Sequence, residues 1–567
     1  MIQRLATLLL IGSWWAAAAA AQATAPVERP GMHADPEKIQ AHVKALAGDR
    51  LERRGTGERS GDLAADYLAR QFASYGLQPA GDNGTYFQEV PMIGVQTLEG
   101  TSFAVVTANL ETLTLRNLED FVVSNSTQTE SAYIDAPVVF AGYGIQAPQY
   151  GWDDYKEASL DGKVALVLAN TPPSGDSKLF DGKASTDYGG WRYKFAETAR
   201  RGAVATLIIH GADFGGYGWE LVRNLWGKER AYLKGDTAPK LRAASWLRSE
   251  AAQKLVALSG LDLEKLAEEA RSRDFRPIEL PLRLQAHVAS QLRSFVARNV
   301  LAAKPARGAR SQEAIVYTAH YDHLGTDLAL KGHDIYSGAV DSATGCGVLL
   351  EVARAWSQAP SAPPRTILFA ALTGEDQGLL GSEYLAGHAP VPAGNIALVL
   401  NYGALAPIGD TAEVEVSGAE RTTFYPVVEA KAKTLGLTIR TDSRPAEGSY
   451  YRSSPFSLAR VGIPAFSIAE GLKFKGHDAA RGDAHERDDR EHRRYRPTDE
   501  HRDGMDFKGD ARLATFGYEL GMEAASEPRL IGWLPGDEFE VARRQSQIVA
   551  RRALVQPSPR KTKSHRG

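Results

Sequence analysis

The sequence predicts a layered α/β fold with a largely parallel sheet, because apolar runs alternate with helical segments after Asn299. The runs 314–319, 365–372 and 397–400 are apolar almost throughout and read as buried strands, and a helix is predicted at 347–356. Strands without polar alternation are buried on both faces, which is typical of parallel sheets covered by helices.

The segment 36–75 predicts two amphipathic helices flanking a polar loop at 49–61. Its apolar residues recur at helical spacing. They are Ile39, Val43 and Leu46 in the first helix and Leu63, Ala64, Tyr67, Leu68 and Phe72 in the second. Glycines then mark turns before strand-like segments begin.

Between about 132 and 281 the chain changes to short β-rich runs separated by turns. These runs are 137–141, 164–168 and 205–209, and one helix is predicted at 191–201. This pattern of short strands and turns predicts a compact insert with its own sheet. The pattern alone leaves open the alternative that these strands continue the main sheet.

Length and composition limit the classes of protein to consider. The chain has 567 residues, of which 43% are hydrophobic and 24% charged, with a formal net charge of −3. Two domains with additional tails are expected at this length. The balanced charge gives no polyanion-binding surface, so no nucleic-acid partner is expected. Cys346 is the single cysteine, which excludes an intramolecular disulfide.

The two ends of the chain have the composition of tails. Arg4, the apolar run 5–15 and the small residues Ala21-Gln22-Ala23 are typical of a signal peptide, residues 1–23, cleaved after Ala21 or Ala23. The predicted location is periplasmic or extracellular, with no stable membrane insertion after cleavage. A retained membrane anchor is the alternative, although the apolar run is shorter than the ~20 residues that a spanning helix needs. Residues 555–567 predict a disordered basic tail.

Side chains suited to metal chemistry follow the predicted strands. His320 and Asp322 come after the first strand, Asp341 precedes the helix, and Glu375 and Asp376 follow the second strand. Sites in such sheets form where strands end and loops begin, so these side chains are expected to lie together.

The residue types predict a zinc site. Imidazole and carboxylate groups hold zinc while leaving positions for water and substrate. Asp341, at a helix entrance, can bridge two ions roughly 3.5–4 Å apart. Asp322 is placed to orient the imidazole of His320 by accepting its second N–H. Of the adjacent carboxylates, one can bind metal while the other serves as a proton shuttle.

Four segments, 314–323, 335–350, 365–385 and 395–410, resemble the zinc-dependent exopeptidase family that includes secreted bacterial leucyl aminopeptidases and glutamate carboxypeptidase. The matched stretches are Ala319-His320-Tyr321-Asp322-His323-Leu324-Gly325, Gly338-Ala339-Val340-Asp341-Ser342-Ala343-Thr344-Gly345 and Gly374-Glu375-Asp376-Gln377-Gly378-Leu379-Leu380-Gly381-Ser382. Residues 36–92 are similar to the N-terminal segment of that family. The insert, 132–285, resembles a protease-associated domain.

This resemblance implies a three-layer sandwich with a mostly parallel mixed sheet and one or two zinc ions. His320 would bind one ion, Asp341 would bridge both, Asp376 would bind the other, and Glu375 would be the general base in removing N-terminal residues from peptide substrates. The implied units are 1–23 (signal peptide), 36–131 (N-terminal part of the peptidase domain), 132–285 (insert), 286–527 (catalytic domain) and 528–567 (C-terminal extension with the basic tail).

The chain departs from the family pattern at several positions. Asp376 stands where glutamate is usual, Asn401 replaces an aspartate ligand, and Tyr495 aligns with the last histidine ligand. Ser454-Pro455 stands where relatives commonly carry Asp-His. The charged segment 476–496 holds His477, His485 and His492. His492 is the nearest replacement for the missing imidazole, and the alternative is that the segment is a solvated charged loop.

Two functions remain open on the sequence. One is a metal-dependent exopeptidase with an altered site, because His320, Asp341 and Glu375 are present. The other is a non-catalytic ligand-binding protein on the same scaffold, because Asn401 and Tyr495 are substituted. A serine hydrolase is not indicated, since the Gly-x-Ser-x-Gly motif is missing. The oligomeric state is not indicated by the sequence.

Overall fold

The computed structural model describes residues 32–48, 51, 54–174, 179, 180, 186–211, 218–325, 336–441, 448–475 and 505–555. The signal-peptide segment, the basic tail from residue 556 onward, and Tyr495 with the histidines of the 476–496 segment lie outside these residues. None of the helices in the described part of the chain has both the length and the apolar character that crossing a bilayer requires.

Helices and strands alternate along the described residues. The helices are α1 (Pro36–Ala47), α2 (Arg59–Ser74), α3 (Trp191–Arg200), α4 (Trp219–Trp226), α5 (Ser249–Ala257), α6 (Leu263–Glu269), α7 (Thr344–Gln358), α8 (Leu380–His388), α9 (Tyr425–Thr434), α10 (Ser454–Arg460), α11 (Lys508–Ser526) and α12 (Glu540–Val555). The strands are β1 (Gln78–Pro79), β2 (Phe87–Thr97), β3 (Ser102–Thr107), β4 (Thr112–Leu115), β5 (Phe121–Ser124), β6 (Ser131–Phe140), β7 (Gln146–Ala147), β8 (Trp152–Asp153), β9 (Val164–Leu168), β10 (Ala205–His210), β11 (Arg230–Leu233), β12 (Ala243–Arg248), β13 (Ile278–Lys304), β14 (Ala314–His320), β15 (Thr366–Leu372), β16 (Ile396–Asn401), β17 (Glu413–Glu415), β18 (Thr438–Arg440), β19 (Ala465–Ser467) and β20 (Ala469–Glu470).

The first helix illustrates how local sequence sets an element boundary. Asp35 caps α1, and its side chain accepts hydrogen bonds from the backbone N–H groups of Glu37 and Lys38. Pro36 occupies the first turn, where its missing N–H costs nothing, and Gly48 follows the last residue. Asp35 and Pro36 therefore set the start of α1, and Gly48 sets its end.

The central sheet is mixed but mostly parallel around the predicted site. Its order is β19-β16-β14-β15-β13, in which the first four strands are parallel and β13 is antiparallel to β15. The predicted strands at 314–319, 365–372 and 397–400 are confirmed as β14, β15 and β16. The predicted helix at 347–356 is confirmed as the longer α7.

Helices cover both faces of this sheet, which confirms the predicted layered α/β architecture. On one face, Ile315, Tyr317 and Ala319 of β14 pack with the buried sides of α1, α7 and α11. On the other face, Ala314 and Val316 pack with residues of α8 and α10. Alternate residues of one strand thus enter two different hydrophobic cores, and each buried methylene contributes about 0.8 kcal/mol.

The β-rich region between 121 and 248 has its own hydrophobic packing and is also joined to the main sheet. Its strands follow the order β6-β9-β10-β12-β5, and two hydrophobic clusters lie on opposite faces of it. β13 is the physical link, because residues within 278–289 pair with β6 and residues 300–304 pair with β15. The strands pack around two hydrophobic clusters, and their hydrogen-bonded ladder continues into the main sheet, while the separate insert stays a prediction.

Asp510, in the first turn of α11, carries a buried carboxyl group that predicts a pH-dependent stability. It is 1% exposed, and its Oδ1 atom has no hydrogen-bond partner among the described residues. Burial, with a smaller contribution from the charge of Asp506, raises the pKa of Asp510 to about 7. The folded state therefore holds a proton that the unfolded state has lost, so stability is full below pH 4 and falls as pH rises through 7.

We expect Asp510→Asn to remove this loss, since an amide does not ionise. At pH 8 the variant should be more stable than the wild type by roughly 3–4 kcal/mol, while at pH 5 the gain should be only about 1–2 kcal/mol. Urea unfolding at both pH values measures the effect. Equal gains at pH 5 and pH 8 would contradict the assigned titration.

Candidate metal centre

Parallel neighbouring strands bring the predicted residues to one edge of the sheet. β14 ends at His320, whose partner on β15 is Leu372, and Glu375 and Asp376 follow β15 directly. Asp341 lies in the short helical segment Ala339–Ala343 that leads into α7. The carboxyl ends of these strands therefore meet at one edge of the sheet, as expected for parallel strands.

The imidazole and carboxylate groups form one cluster. One ligand atom each from His323, Asp341 and Asp376 lies within 4.8 Å of the others. His323 Nδ1 is 3.0 Å from Asp376 Oδ2, and His320 Nε2 is 2.9 Å from Asp341 Oδ1. The structure thus brings His320, Asp341 and Asp376 together and adds His323 to the cluster.

His323 is a site residue that the sequence reasoning did not select as a ligand. The signal for it was present, because it belongs to the matched stretch that begins at Ala319 and follows His320 by three residues. Its backbone N–H donates to the carbonyl oxygen of Arg54 at 2.9 Å, and its side chain is buried. β14 ends at His320, so strand alternation does not set the direction of the His323 side chain. That direction depends on the hydrogen bond between the His323 N–H and the Arg54 carbonyl oxygen.

His320 sits in a strongly negative environment. Burial opposes its charged form, but the hydrogen bond and the charge of Asp341, with the charges of Glu375 and Asp376, raise the pKa of His320 to about 10. The carboxylates therefore require a positive charge among them, and either a proton or a metal ion can supply it.

Glu375 is held in place by the first residue of α10. The backbone N–H of Ser454 donates to Glu375 Oε1 at 3.0 Å, and the Ser454 hydroxyl donates to Oε2. Burial is the main cause that raises the pKa of Glu375, against the opposing effects of His320 and Ser454. This carboxylate is fixed in orientation and has an increased affinity for a proton. Ser454, one of the departures from the family pattern, thus takes a direct part in the site.

Asp322 contacts His320 in a different way from the expectation. The carbonyl oxygen of Asp322, not its carboxylate, lies 3.1 Å from His320 Nδ1. The Asp322 carboxylate instead accepts hydrogen bonds from the Thr56 and Thr373 hydroxyls and from the Gly374 N–H. The Asp322 carboxylate is turned away from His320 because the loop after β15 offers these donors. It thereby ties the ends of β14 and β15 together, while the carbonyl oxygen of Asp322 orients the His320 imidazole.

Arg54 holds the loops that carry the cluster. It is fully buried, and its guanidinium donates to the carbonyl oxygens of Tyr321 at 2.8 Å, Gly338 at 2.6 Å and Leu46. Tyr321 lies between His320 and His323, and Gly338 immediately precedes the Asp341 segment. A single planar fork thus fixes the relative position of both loops, which the flexible point charge of a lysine cannot do.

Asn401, which replaces an expected aspartate, is engaged by its strand neighbours. Its Oδ1 accepts from the Thr318 hydroxyl at 2.8 Å, and its Nδ2 donates to the Ser467 Oγ at 3.0 Å. The amide therefore has a structural role between β14 and β19. Tyr495 and His492 lie outside the described residues, so the expectations placed on them stay predictions.

Comparison with known proteins supports the resemblance carried by the motifs. Residues 299–505 match the family model described as Peptidase family M28. This range contains all four cluster residues and Glu375, so the sequence resemblance is confirmed over the part of the chain that forms the site.

Two fungal relatives match a shorter stretch. A probable zinc metalloprotease of Leptosphaeria maculans is 39% identical over 96 residues, 17% of this chain and 22% of the relative. A probable zinc metalloprotease of Pyrenophora tritici-repentis is 38% identical over 86 residues, 15% of this chain and 17% of the relative. The chain therefore matches only about a fifth of the length of these curated relatives.

Solved structures match over most of the chain at low identity. An aminopeptidase from Aneurinibacillus sp. strain AM-1 is 17% identical with a TM-score of 0.49, covering 87% of this chain and 93% of that chain. BSAP, a zinc aminopeptidase from Bacillus subtilis, is 15% identical with a TM-score of 0.42, covering 89% and 97%.

The clamp formed by Arg54 predicts a large contribution to stability. We expect Arg54→Leu to lower the free energy of unfolding by about 3–5 kcal/mol, because it leaves buried carbonyl groups without their donor. Arg59→Leu is the matched control, since Arg59 is exposed at the start of α2 and should change stability by less than about 0.5 kcal/mol. Urea unfolding of both variants and the wild type measures the difference. Equal unfolding midpoints of Arg54→Leu and Arg59→Leu would show that the Arg54 hydrogen bonds do not stabilise the fold.

Proposed function

We propose that this chain is a metal-dependent exopeptidase of the aminopeptidase kind, which removes N-terminal residues from peptides. The observation that carries this proposal is the convergence of His320, His323, Asp341 and Asp376 beside the anchored Glu375, within a range that matches Peptidase family M28. A non-catalytic binding protein on the same scaffold is not favoured, because the match covers the whole cluster.

Zinc is the proposed metal, with one or two ions per chain. The donor set fits it, since two imidazole groups and two carboxylates are gathered in a mostly buried cluster. His320, His323, Asp341 and Asp376 would hold the metal, and Asp341 would be shared if two ions bind. When bound, zinc would polarise the scissile carbonyl group and make a water molecule acidic enough to react at neutral pH.

Glu375 is the proposed proton carrier. Its two oxygens are oriented by Ser454, so the carboxylate keeps a fixed direction during the reaction. It would accept a proton from the attacking water and hand it to the departing amine, and a pKa raised by burial suits a group that must do both. Asp322 would act as a positioning residue, through its carbonyl oxygen toward His320 and its carboxylate toward the loop after β15.

His323 would supply the second imidazole of the centre. The family resemblance places that ligand at Tyr495, whose phenol binds zinc only after deprotonation. His323 is already 3.0 Å from Asp376, and it belongs to the set of mutually close ligand atoms. The two imidazoles of the proposed centre would thus come from the end of β14 and the residues that follow it, and the second imidazole would not depend on Tyr495.

The proposal includes the organisation and location predicted from the sequence. Residues 36–131 and 286–527 would form the peptidase domain, with 132–285 as a protease-associated insert and 528–567 as a C-terminal extension. Residues 1–23 would direct export to the periplasm or the extracellular space. Separate hydrophobic clusters on the two faces of the β6-β9-β10-β12-β5 sheet are compatible with a second packing unit, although both clusters also include residues before 132 such as Phe121 and Val122.

The function is tested by peptide hydrolysis and its dependence on metal and on Glu375. We expect release of N-terminal residues from short peptides, loss of this activity in a chelator, and recovery on adding Zn²⁺. Glu375→Gln should lower kcat by about 10²–10⁴-fold, because the proton carrier is lost while the shape is kept. Glu429→Gln, an exposed change on α9, should leave kcat unaltered. Full activity of the Glu375→Gln variant would refute the proposed mechanism.

The role of His323 is tested by metal content, independently of activity. We expect His323→Ala to lower zinc affinity by about 10–100-fold or more, because a ligand is removed. His388→Ala is the matched control, since His388 is exposed at the end of α8. Equilibrium dialysis followed by elemental analysis gives the bound zinc. Equal zinc affinity in the His323→Ala variant and the wild type would exclude His323 as a ligand.

A further inference from the structure

A large cavity lies where three parts of the chain meet, a few residues from the anchor of Glu375. Its volume is about 1120 Å³, enough for several peptide residues, since typical small-molecule sites span about 300–1,000 Å³. Walls come from the β-rich region, by Gln149, Tyr150, Thr186 and Tyr188, and from residues within 415–441, 448–451 and 536–538. The lining residues Tyr450 and Tyr451 belong to the short helical segment Ser449–Arg452, which ends two residues before Ser454, the residue that holds Glu375.

Two kinds of side chain dominate the polar part of the lining. Four carboxylates, Glu415, Glu420, Asp537 and Glu538, face two guanidinium groups, Arg421 and Arg440, which leaves a net charge of −2 on the described lining. Five tyrosines, Tyr150, Tyr188, Tyr425, Tyr450 and Tyr451, complete this set. Aromatic faces and carboxylates both attract cations, and the attraction grows when water is partly excluded.

The wall already holds one guanidinium by these two kinds of group. Arg421 pairs with Asp537 at 2.7 Å and with Glu538 at 2.8 Å. Its guanidinium carbon also lies 5.3 Å from the centroid of the Tyr450 ring. The cavity thus contains, within its own wall, an example of how a basic side chain is bound there.

An unpartnered hydroxyl gives an independent sign that the cavity receives a ligand. Thr186 is 4% exposed and lines the cavity, and its Oγ1 atom has no hydrogen-bond partner among the described residues. A buried hydroxyl without a partner is costly, so a polar group of a ligand is the natural occupant of that position.

We propose that this cavity binds the basic side chains of lysine- or arginine-containing peptides and so selects the substrates of the neighbouring metal centre. The inference rests on the proposed peptidase function for the identity of the ligand as a peptide. The cation preference itself comes from the carboxylates and tyrosines of the lining. Residues from the β-rich region and from the C-terminal 536–538 segment would then take part in substrate selection.

The test compares two peptides of equal length on the full wild-type chain in a chelator, where no metal-dependent turnover consumes them. Calorimetry measures the affinities of Ala-Lys-Lys-Lys and Ala-Gln-Gln-Gln. We expect the lysine peptide to bind about tenfold tighter or more at low salt, and the difference to shrink at 0.5 M NaCl because exposed charges are screened. Equal affinities of the two peptides would overturn the proposal without need of any variant.

Variants locate the preference in the cavity. The double change Glu415→Gln with Glu420→Gln should reduce the preference for lysine at least about fivefold. Glu429→Gln, which changes the same charge on exposed α9, should leave it intact. A preference that survives the double change, or that is lost equally in Glu429→Gln, would contradict this location.

Turnover with Zn²⁺ restored separates this inference from the proposed function. Hydrolysis of both peptides without any binding preference would refute the cavity inference and leave the peptidase proposal standing. A binding preference without hydrolysis of either peptide would support the cavity inference and refute the peptidase proposal.

Discussion

The parallel pairing of β14 with β15 and β16 is the constraint on which the candidate site depends. Register places His320 opposite Leu372 and Thr318 opposite Asn401, so the three strands finish close together at one edge. These strands are buried on both faces, which leaves little freedom to slip, because a one-residue shift would move every side chain to the opposite core. The chemistry is thus positioned by hydrophobic packing several residues away from any titratable group.

Gathering acids and imidazoles at that edge is costly, and the surrounding structure offsets part of the cost. Several buried or half-buried carboxylates repel one another and lose hydration. Hydrogen-bond donors near the site offset part of this repulsion and lost hydration. The Asp322 carboxylate accepts from Thr56, Thr373 and Gly374, and the Glu375 carboxylate accepts from Ser454. His320 contacts Asp341, and His323 contacts Asp376. The remaining negative charge favours a bound cation, which makes metal affinity a consequence of the way the fold compensates its own buried acids.

The β-rich region and the C-terminal residues both contribute walls to the cavity near the candidate site. β13 carries the chain from the β-rich region into the main sheet as one continuous strand, so the two regions share a rigid element. The cavity forms where their surfaces meet the 536–538 segment. In the proposed function the strand ends would hold the reacting groups, while distant parts of the chain would shape the binding space for the substrate.

The sequence alone determined the features that depend on local pattern. Buried strands, amphipathic helices and the clustering of His320, Asp341 and Asp376 follow from periodicity, from the motifs and from the rule that parallel strand ends meet. The inward position of His323, the turn of the Asp322 carboxylate toward Thr373 and the clamp of Arg54 did not follow. Each depends on contacts between residues far apart in the chain, and a loop side chain takes its direction from such partners, not from its own sequence spacing. Only the tertiary structure could decide these contacts, since their hydrogen-bond partners become neighbours through the packing of separate elements.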